Sequence, residues 1–242
     1  MPKPLISIHD EDAMKLLNID KNAKTVKGQS KGYMTAILYL APANLSGYEV
    51  CPMATAGCRA ACLNTAGRGA FSTAQKARIA KTKWFFEDRQ AFMAQLVDEI
   101  TKFVTFAEKR GFIPTVRLNG TSDIVWERVA VGDHANVMAM FPTIQFYDYT
   151  KRSNRKDLPA NYHLTFSLAE DNTVQAEKAL DNGINVAAVF RVPQFPVSYF
   201  NRQVIDGDET DLRFLDPKGS VVGLKAKGKA RKDTTGFVKE VA

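Results

Sequence analysis

Cysteine is almost missing from this chain. Three occur in 242 residues, and all three lie in one stretch, "CPMATAGCRAAC", as Cys51, Cys58 and Cys62. So few thiols exclude a disulfide-built scaffold. Histidine is as scarce, with His9, His134 and His163 all far from that stretch in sequence, and there are only two tryptophans. No apolar run approaches the ~20 residues that a membrane-spanning helix needs. The longest, "MTAILYLAPA", is too short, so no membrane partner is expected. The N-terminus reads "MPKPLISIHDEDAMK", with acids where a secretory signal would carry its apolar core, so a cytoplasmic protein is expected. The G-x4-G-K-[ST] order of a phosphate-binding loop is absent, as are G-x-G-x-x-G, H-E-x-x-H and any Ser–His–Asp pattern. Internal repeats, low-complexity tracts and long linkers are also missing.

What remains is a chain of ordinary globular make-up, 45% hydrophobic and 24% charged. That suits a single domain over residues 1–242, with a polar N-terminal segment 1–30 and a basic C-terminal segment 223–242. The net charge of +7 favours an anionic partner, either a small anionic molecule or nucleic acid. Five of those cations fall within eight residues: Lys225, Lys227, Lys229, Arg231 and Lys232. That density resembles a nucleic-acid-binding tail.

Apolar strands alternate with helices along most of the chain. "DEDAMKLLNI" suits a short helix capped by Asp10. "GYMTAILYLAPA" reads as a buried strand, and the cysteine loop follows it directly. Residues 70–111 are helical in pattern, with Phe92, Leu96, Ile100 and Phe103 at three-and-four spacing, a new start at Asp88 and an end at Gly111. "IPTVRLNGTSD", "TIQFYDYTK", "NYHLTFSLAED" and "GINVAAVFRVP" are further strands, and "GSVVGLKAKGK" is the last. "DIVWERVAVGDHANVMAMF" and "TVQAEKALDNG" are the helices between them. This alternation predicts an α/β fold with a mainly parallel sheet, either a complete or partial (β/α) barrel or an open doubly wound sheet.

Working residues of such sheets collect at the carboxyl ends of the strands. Those ends carry Asn119, Ser122 and Asp123, then Tyr149 and Lys151, then Ser167 and Glu170, then Arg191. Asp123 and Lys151 are the candidate catalytic groups. Asn119, Ser122, Asp123, Tyr149, Ser167 and Arg191 are candidates to hold a cofactor or substrate. Asp123 has a structural alternative as the cap of a helix over "IVWERV".

The thiols are spaced C-x6-C-x3-C. On a helical turn Cys58 and Cys62 share a face about 5–6 Å apart at Cβ, which suits joint metal ligation better than a disulfide. Three readings stand: a [4Fe–4S] cluster with one iron left open, a zinc site completed by a distant histidine, or three small unligated side chains.

A three-cysteine loop directly after the first strand of a βα barrel is the layout of the radical S-adenosylmethionine enzymes. The string "CPMATAGCRAAC", followed by "VRLNGTSD", "YDYTK" and "LTFSLAED", also resembles a group of proteins encoded by bacteriophages and related mobile elements, over residues 33 to 191. The phage resemblance implies a [4Fe–4S] cluster held by Cys51, Cys58 and Cys62 in a barrel-like fold, in the host cytoplasm. The radical-enzyme layout brings in S-adenosylmethionine as a cofactor, with Asp123 in the place of the acid that holds its amino group. The C-x6-C-x3-C spacing departs from the C-x3-C-x2-C of those enzymes. Two functions are therefore expected: an iron–sulfur enzyme acting on a small or anionic substrate at the barrel rim, or a non-catalytic iron–sulfur module that binds nucleic acid or a host protein.

Overall fold

The computed structural model describes residues 14–19 and 23–241. Ten strands form one mixed sheet, most of it parallel. After β1 (Leu17–Ile19) and α1 (Ala23–Lys27) comes β2 (Tyr33–Leu38), the strand ahead of the cysteine loop. The loop contains α2 (Ala56–Ala60) and leads into α3 (Ser72–Glu87) and α4 (Arg89–Glu108). Next are β3 (Ile113–Arg117), α5 (Val137–Met140), β4 (Gln145–Thr150), β5 (Tyr162–Ser167), α6 (Thr173–Asp181) and β6 (Val186–Phe190). The chain closes with β7 (Ser198–Tyr199), β8 (Arg202–Asp206), β9 (Val221–Lys225) and β10 (Val238–Lys239).

The strand order is β1-β2-β3-β4-β5-β6-β9-β8-β7. From β2 to β6 each strand lies parallel to its successor in the chain. A doubly wound sheet reverses its order at a switch point, and β2 to β6 contain no reversal. The sheet is not closed: β1 and β7 form its two antiparallel edges.

Two pairs of neighbours part early. β3 and β4 pair only at Thr115–Gln145 and Val116–Phe146, and β5 and β6 only at Phe166–Val186 and Ser167–Ala187. Backbone groups freed in this way must find other partners. Beyond β3, the N–H groups of Leu118 and Asn119 donate to the Asp148 carboxylate at 3.2 and 2.9 Å. Beyond β5, β10 takes over β6 at Val189 and Phe190.

Asp88 starts α4 as read, accepting from the Ala91 N–H at 3.0 Å, and Gly111, at φ +75°, follows its last turn. Phe92, Leu96, Ile100 and Phe103 are buried against Met34, Val116, Leu118 and Phe146. α6 covers the other half of the sheet, packing Ala176 and Leu180 against Phe166, Val186 and Ala188.

Three expectations need correction. Residues 10–13 of the expected helix, Asp10 among them, lie outside the described residues, and its last part is a strand, with Leu17–Ile19 paired to β2. The stretch from 123 to 141 is not one helix. It holds a 3-10 turn at Trp126–Arg128, a tight Val131–His134 bridge through Gly132 at φ +53°, and then α5, capped by Asn136. Finally, "GSVVGLKAKGK" is not the last strand. β10 follows it, and β7 and β8 precede it; these strands of two to five residues are too short to carry a readable alternation.

Candidate functional site: a thiol cluster at the strand ends

The cysteine loop is fixed at both flanks. The Thr121 hydroxyl donates to the Leu40 carbonyl at 2.5 Å, and the Asp123 N–H donates to the Val50 carbonyl at 2.8 Å. These bonds tie the loop after β2 to the loop after β3. Thr55 caps α2 by accepting from the Cys58 N–H at 3.1 Å. Glu170, at the end of β5, accepts from the Thr55 hydroxyl at 2.6 Å and from the Gly57 N–H at 2.7 Å. Burial would raise the Glu170 pKa, but these hydrogen bonds outweigh it and hold the carboxyl below its ordinary range. No side chain fits at Gly57, where a Cβ would lie 2.1 Å from Thr235 Oγ1. One carboxylate thus links the cysteine helix to the far side of the sheet.

The three thiols lie within electrostatic reach of one another, each half-buried and free. Cys62 and Cys58 both act electrostatically on Cys51, and Cys58 acts on Cys62. Burial pushes the Cys51 thiol up to about 12, opposed by a hydrogen bond from the Ala43 N–H; Cys62, Asp123 and Cys58 raise it further. Ala43 is held at φ +50°, a left-handed conformation costly for a residue with a Cβ, and its carbonyl accepts from the Val50 N–H. Cys62 is also raised by burial, and the Asn64 N–H, Arg78 and Lys151 oppose the shift. Cys58 and Cys62 do not share a helical face, which corrects the expectation from their spacing. α2 ends at Ala60, and Cys62 lies beyond it, at φ −55° and ψ 132°, ahead of the next 3-10 turn. Among the described residues no group of three His, Cys, Asp or Glu side chains is arranged around a single metal ion.

Asp123 lies beside Cys51 but does not cap a helix. It accepts from the Thr150 hydroxyl at 2.8 Å and the Lys151 N–H at 2.9 Å, and stands 3.7 Å from Arg155. Asn119 and Ser122 are turned to each other: the Asn119 side-chain oxygen accepts from Ser122, from the Ile124 N–H and from the Trp126 indole. Those two residues build the turn after β3. Lys151 donates to Ser167 at 2.8 Å and lies over the Phe237 ring. Arg191 is drawn away, to Glu240 and the Asp233 carbonyl.

Below the thiols, the sheet face opposite the helices is polar. Thr35 bonds Thr115 at 2.8 Å and Tyr147 at 3.2 Å. The Arg117 guanidinium lies over the rings of Tyr147 and Tyr149 and pairs with Asp211 at 2.5 Å. Burial would weaken that charge, but Asp211, Tyr149, Tyr147 and Asp148 together outweigh it, so the Arg117 pKa moves up. Buried Arg213 stands 3.2 Å from Asp216. Arg117 Nε, Arg213 Nε, Thr165 Oγ1 and His163 Nε2 are buried without a hydrogen-bond partner. Sequence reading did not single out Thr165, Asp211 or Arg213. Thr165 was visible as an inward position of a strand; Asp211 and Arg213 lie in a loop that no local pattern directs beneath the sheet.

The basic segment is not a free tail. Lys227 pairs with Asp208 at 2.8 Å, Lys225 donates to the Pro193 carbonyl, and Ala230 is buried. A Cβ at Gly228 would lie 2.9 Å from that of Ala66, so the segment packs on the cysteine loop. Lys229, Arg231 and Lys232 remain exposed there.

These features define an open, mainly parallel α/β protein whose only cysteines gather where its strands end. The chain belongs to the Gene product 88 family, a phage-type family whose model matches residues 14–240. No curated protein and no solved structure matches the chain. None of the helices among the described residues is long and apolar enough to cross a membrane.

Proposed function

We propose that this protein is an iron–sulfur enzyme, with a [4Fe–4S] cluster on Cys51, Cys58 and Cys62 and a small anionic substrate reaching into the polar interior from the rim. In this reading the sheet curves as a partial (β/α) barrel. One observation carries it: three half-buried sulfurs from three separate points of one loop come within electrostatic reach of one another, with Asp123 beside Cys51 and Arg78 and Lys151 beside Cys62. The donor set fits the cluster better than zinc. A structural zinc site closes with four ligands, and this loop supplies three thiols and no histidine. A cubane accepts thiolates on different corners, which stand farther apart. The backbone N–H groups of Ala43 and Asn64 aimed at two of the sulfurs are the contacts that tune such ligands.

When bound, the cluster supplies an open iron and one-electron chemistry. The chain's own residues do the rest. Arg78 and Lys151 place positive charge beside Cys62 and favour an anionic group there. Lys151 is positioned by Ser167, and Asp123 positions the Lys151 backbone. Deeper in, Thr165 Oγ1, buried without a hydrogen-bond partner, is offered to the remainder of the substrate. S-adenosylmethionine is one molecule with the carboxylate such a mouth would take.

Anaerobic purification should yield brown protein with about four irons and four sulfides per chain. Cys51→Ser, Cys58→Ser and Cys62→Ser should each lose the iron and keep the parent's circular dichroism. Stoichiometric zinc with no acid-labile sulfide would overturn the reading.

A further inference from the structure

One segment covers the polar face of the sheet without joining its backbone ladder. It runs from Gly207 to Gly219, "GDETDLRFLDPKG", between β8 and β9. Each end is a glycine tied to the body by its own N–H: Gly207 to the Gly223 carbonyl at 2.9 Å and Gly219 to the Gly183 carbonyl at 3.2 Å. A Cβ at Gly207 would lie 2.5 Å from Val222, and Gly219 stands at φ +70°. From Thr210 to Lys218 the backbone hydrogen bonds among the described residues stay inside the segment: Arg213 N–H to Asp211, Leu215 N–H to Leu212 and Asp216 N–H to Arg213. Side chains hold this part down. Asp211 pairs with Arg117, Leu212 packs on Gly28, and the Phe214 ring meets those of Tyr33 and Tyr147, each at 5.3 Å.

The fit beneath it is poor. Among the described residues nine buried side-chain nitrogen and oxygen atoms lack a hydrogen-bond partner, and five lie where this segment meets the sheet: Arg213 Nε and Nη1, Asp216 Oδ2, His163 Nε2 and Thr165 Oγ1. They share one neighbourhood. Tyr149 feels the charges of Asp211, Arg213, Arg117 and Asp216, and it is the register partner of Thr165. His163, two residues back on the same face of β5, feels Arg213. Native interiors satisfy nearly all such groups, and each one left over keeps its desolvation penalty. Closing the segment therefore forfeits hydrogen bonds that opening it would return to water. A segment with this mismatch, and with no backbone bonds to its surroundings, belongs to the low-stability end of a structure.

What the segment covers is a cation on an aromatic platform. Arg117 lies over the rings of Tyr147 and Tyr149, and its other acid partner among the described residues is Asp148, 3.9 Å away. A guanidinium so placed takes a carboxylate, which is the group Asp211 gives it. We propose that residues 210–218 are a displaceable plug, and that Asp211 holds the place of a ligand carboxylate on Arg117. A small carboxylic acid then binds by driving the segment out rather than by entering a formed pocket. The proposal rests on the small anionic substrate of the proposed function, but it needs no iron.

The test uses the full chain, with and without iron, and succinate as the probe. Hydrogen exchange of residues 210–218 is followed by mass spectrometry, and succinate binding by calorimetry. In the parent, about 100 mM succinate should speed exchange of this segment at least about tenfold over sodium chloride of equal ionic strength, and leave α4 unchanged. A ligand that must first open the segment binds more weakly by the fraction open. Phe214→Ala should therefore speed exchange about tenfold and tighten succinate binding by the same factor, and Asp211→Asn should do at least as much. Arg117→Gln combined with Asp211→Asn should keep the fast exchange and lose the binding. Succinate that leaves the parent's segment unchanged, or protects it, would overturn the proposal, whether or not the variants fold. So would variants that speed exchange without tightening binding, or that speed it equally in α4, the mark of a merely structural contact. Succinate-driven opening in a protein that carries no iron as purified would leave the plug standing and remove the iron–sulfur reading. A segment that stays closed in a protein carrying about four irons would do the reverse.

Discussion

Along β2 to β6 the even-numbered residues face the helices and the odd-numbered ones face away. The even set is mostly apolar, with Met34, Ala36, Leu38, Val116, Leu118, Phe146, Leu164, Phe166, Val186 and Ala188, interrupted on β4 by buried Asp148 and Thr150. The odd set includes Thr35, Thr115, Arg117, Tyr147, Tyr149, His163, Thr165 and Ser167, and most of it is also buried. A parallel sheet covered on both faces normally reads as unbroken hydrophobic runs. Here one face supplies most of the apolar core. The other buries hydroxyls and charges that folding alone would not select, since buried ion pairs rarely add net stability over apolar residues. The contrast separates the residues that hold the sheet from those that the proposed function assigns to a ligand.

The largest effect should come from the even face. Phe146 is fully buried, and Phe146→Ala should destabilise the protein by about 3–5 kcal/mol in denaturant unfolding. A loss below about 1 kcal/mol would mean that this layer is not the core. On the odd face, Arg117→Met leaves Asp211 buried without its partner and should cost about 3 kcal/mol. The double variant Arg117→Met with Asp211→Asn should recover much of that loss. No recovery would show that Arg117 acts through its ring contacts with Tyr147 and Tyr149 or through Asp148, 3.9 Å away, rather than through the Asp211 pair.

A smaller effect is expected at His163, and it depends on pH. Burial, with Arg213 and Lys218 nearby, lowers its pKa from the ordinary 6.5 to about 4. Between those values the unfolded chain takes up a proton that the folded chain refuses, so His163 costs stability as pH falls from 6.5 towards 4. Asp148 and Asp216, both pushed up to about 6 by burial, work the other way over the same range. Their folded forms bind protons first and gain relative stability as pH falls below 6. His163→Gln removes only the first contribution. Its melting temperature should therefore rise relative to the parent between about pH 7 and about pH 5. An equal difference at both pH values would show that His163 titrates normally.

Much of this contrast was legible in the sequence. β2, β3, β4, β5 and β6 declared themselves as apolar, β-branched runs bounded by turns, and α4 by its spacing of Phe92, Leu96, Ile100 and Phe103. The clustering of thiols after the first parallel strand was equally plain. What stayed hidden depends on contacts distant in sequence. Glu170 clamps Thr55 and Gly57 from 115 and 113 residues away. Asp211 reaches Arg117 across 94 residues. Asn119 and Ser122 looked like rim ligands because a polar turn and a polar site have the same composition, and only the bonds to Trp126 and Ile124 tell them apart. The break in the helix expected after Asp123 came from Gly132 and from the pull of the Val131–His134 bridge.

The smallest effect belongs to Thr165, and it bears most directly on why the odd face is polar. Its residue is fully buried, and its hydroxyl has no hydrogen-bond partner. A buried hydroxyl left unsatisfied costs about 1–3 kcal/mol, whereas a satisfied one contributes about 0.5–1.5 kcal/mol. Valine has nearly the same shape and carries no hydroxyl. If the hydroxyl serves the fold, Thr165→Val should lower stability; if it is held ready for a ligand, stability should stay level or rise by up to about 1 kcal/mol. We expect the second outcome in urea unfolding of ligand-free protein. A clear loss of stability would mean that Thr165 is already satisfied within the fold, by a neighbour or a buried water, and would remove it from the proposed substrate pocket.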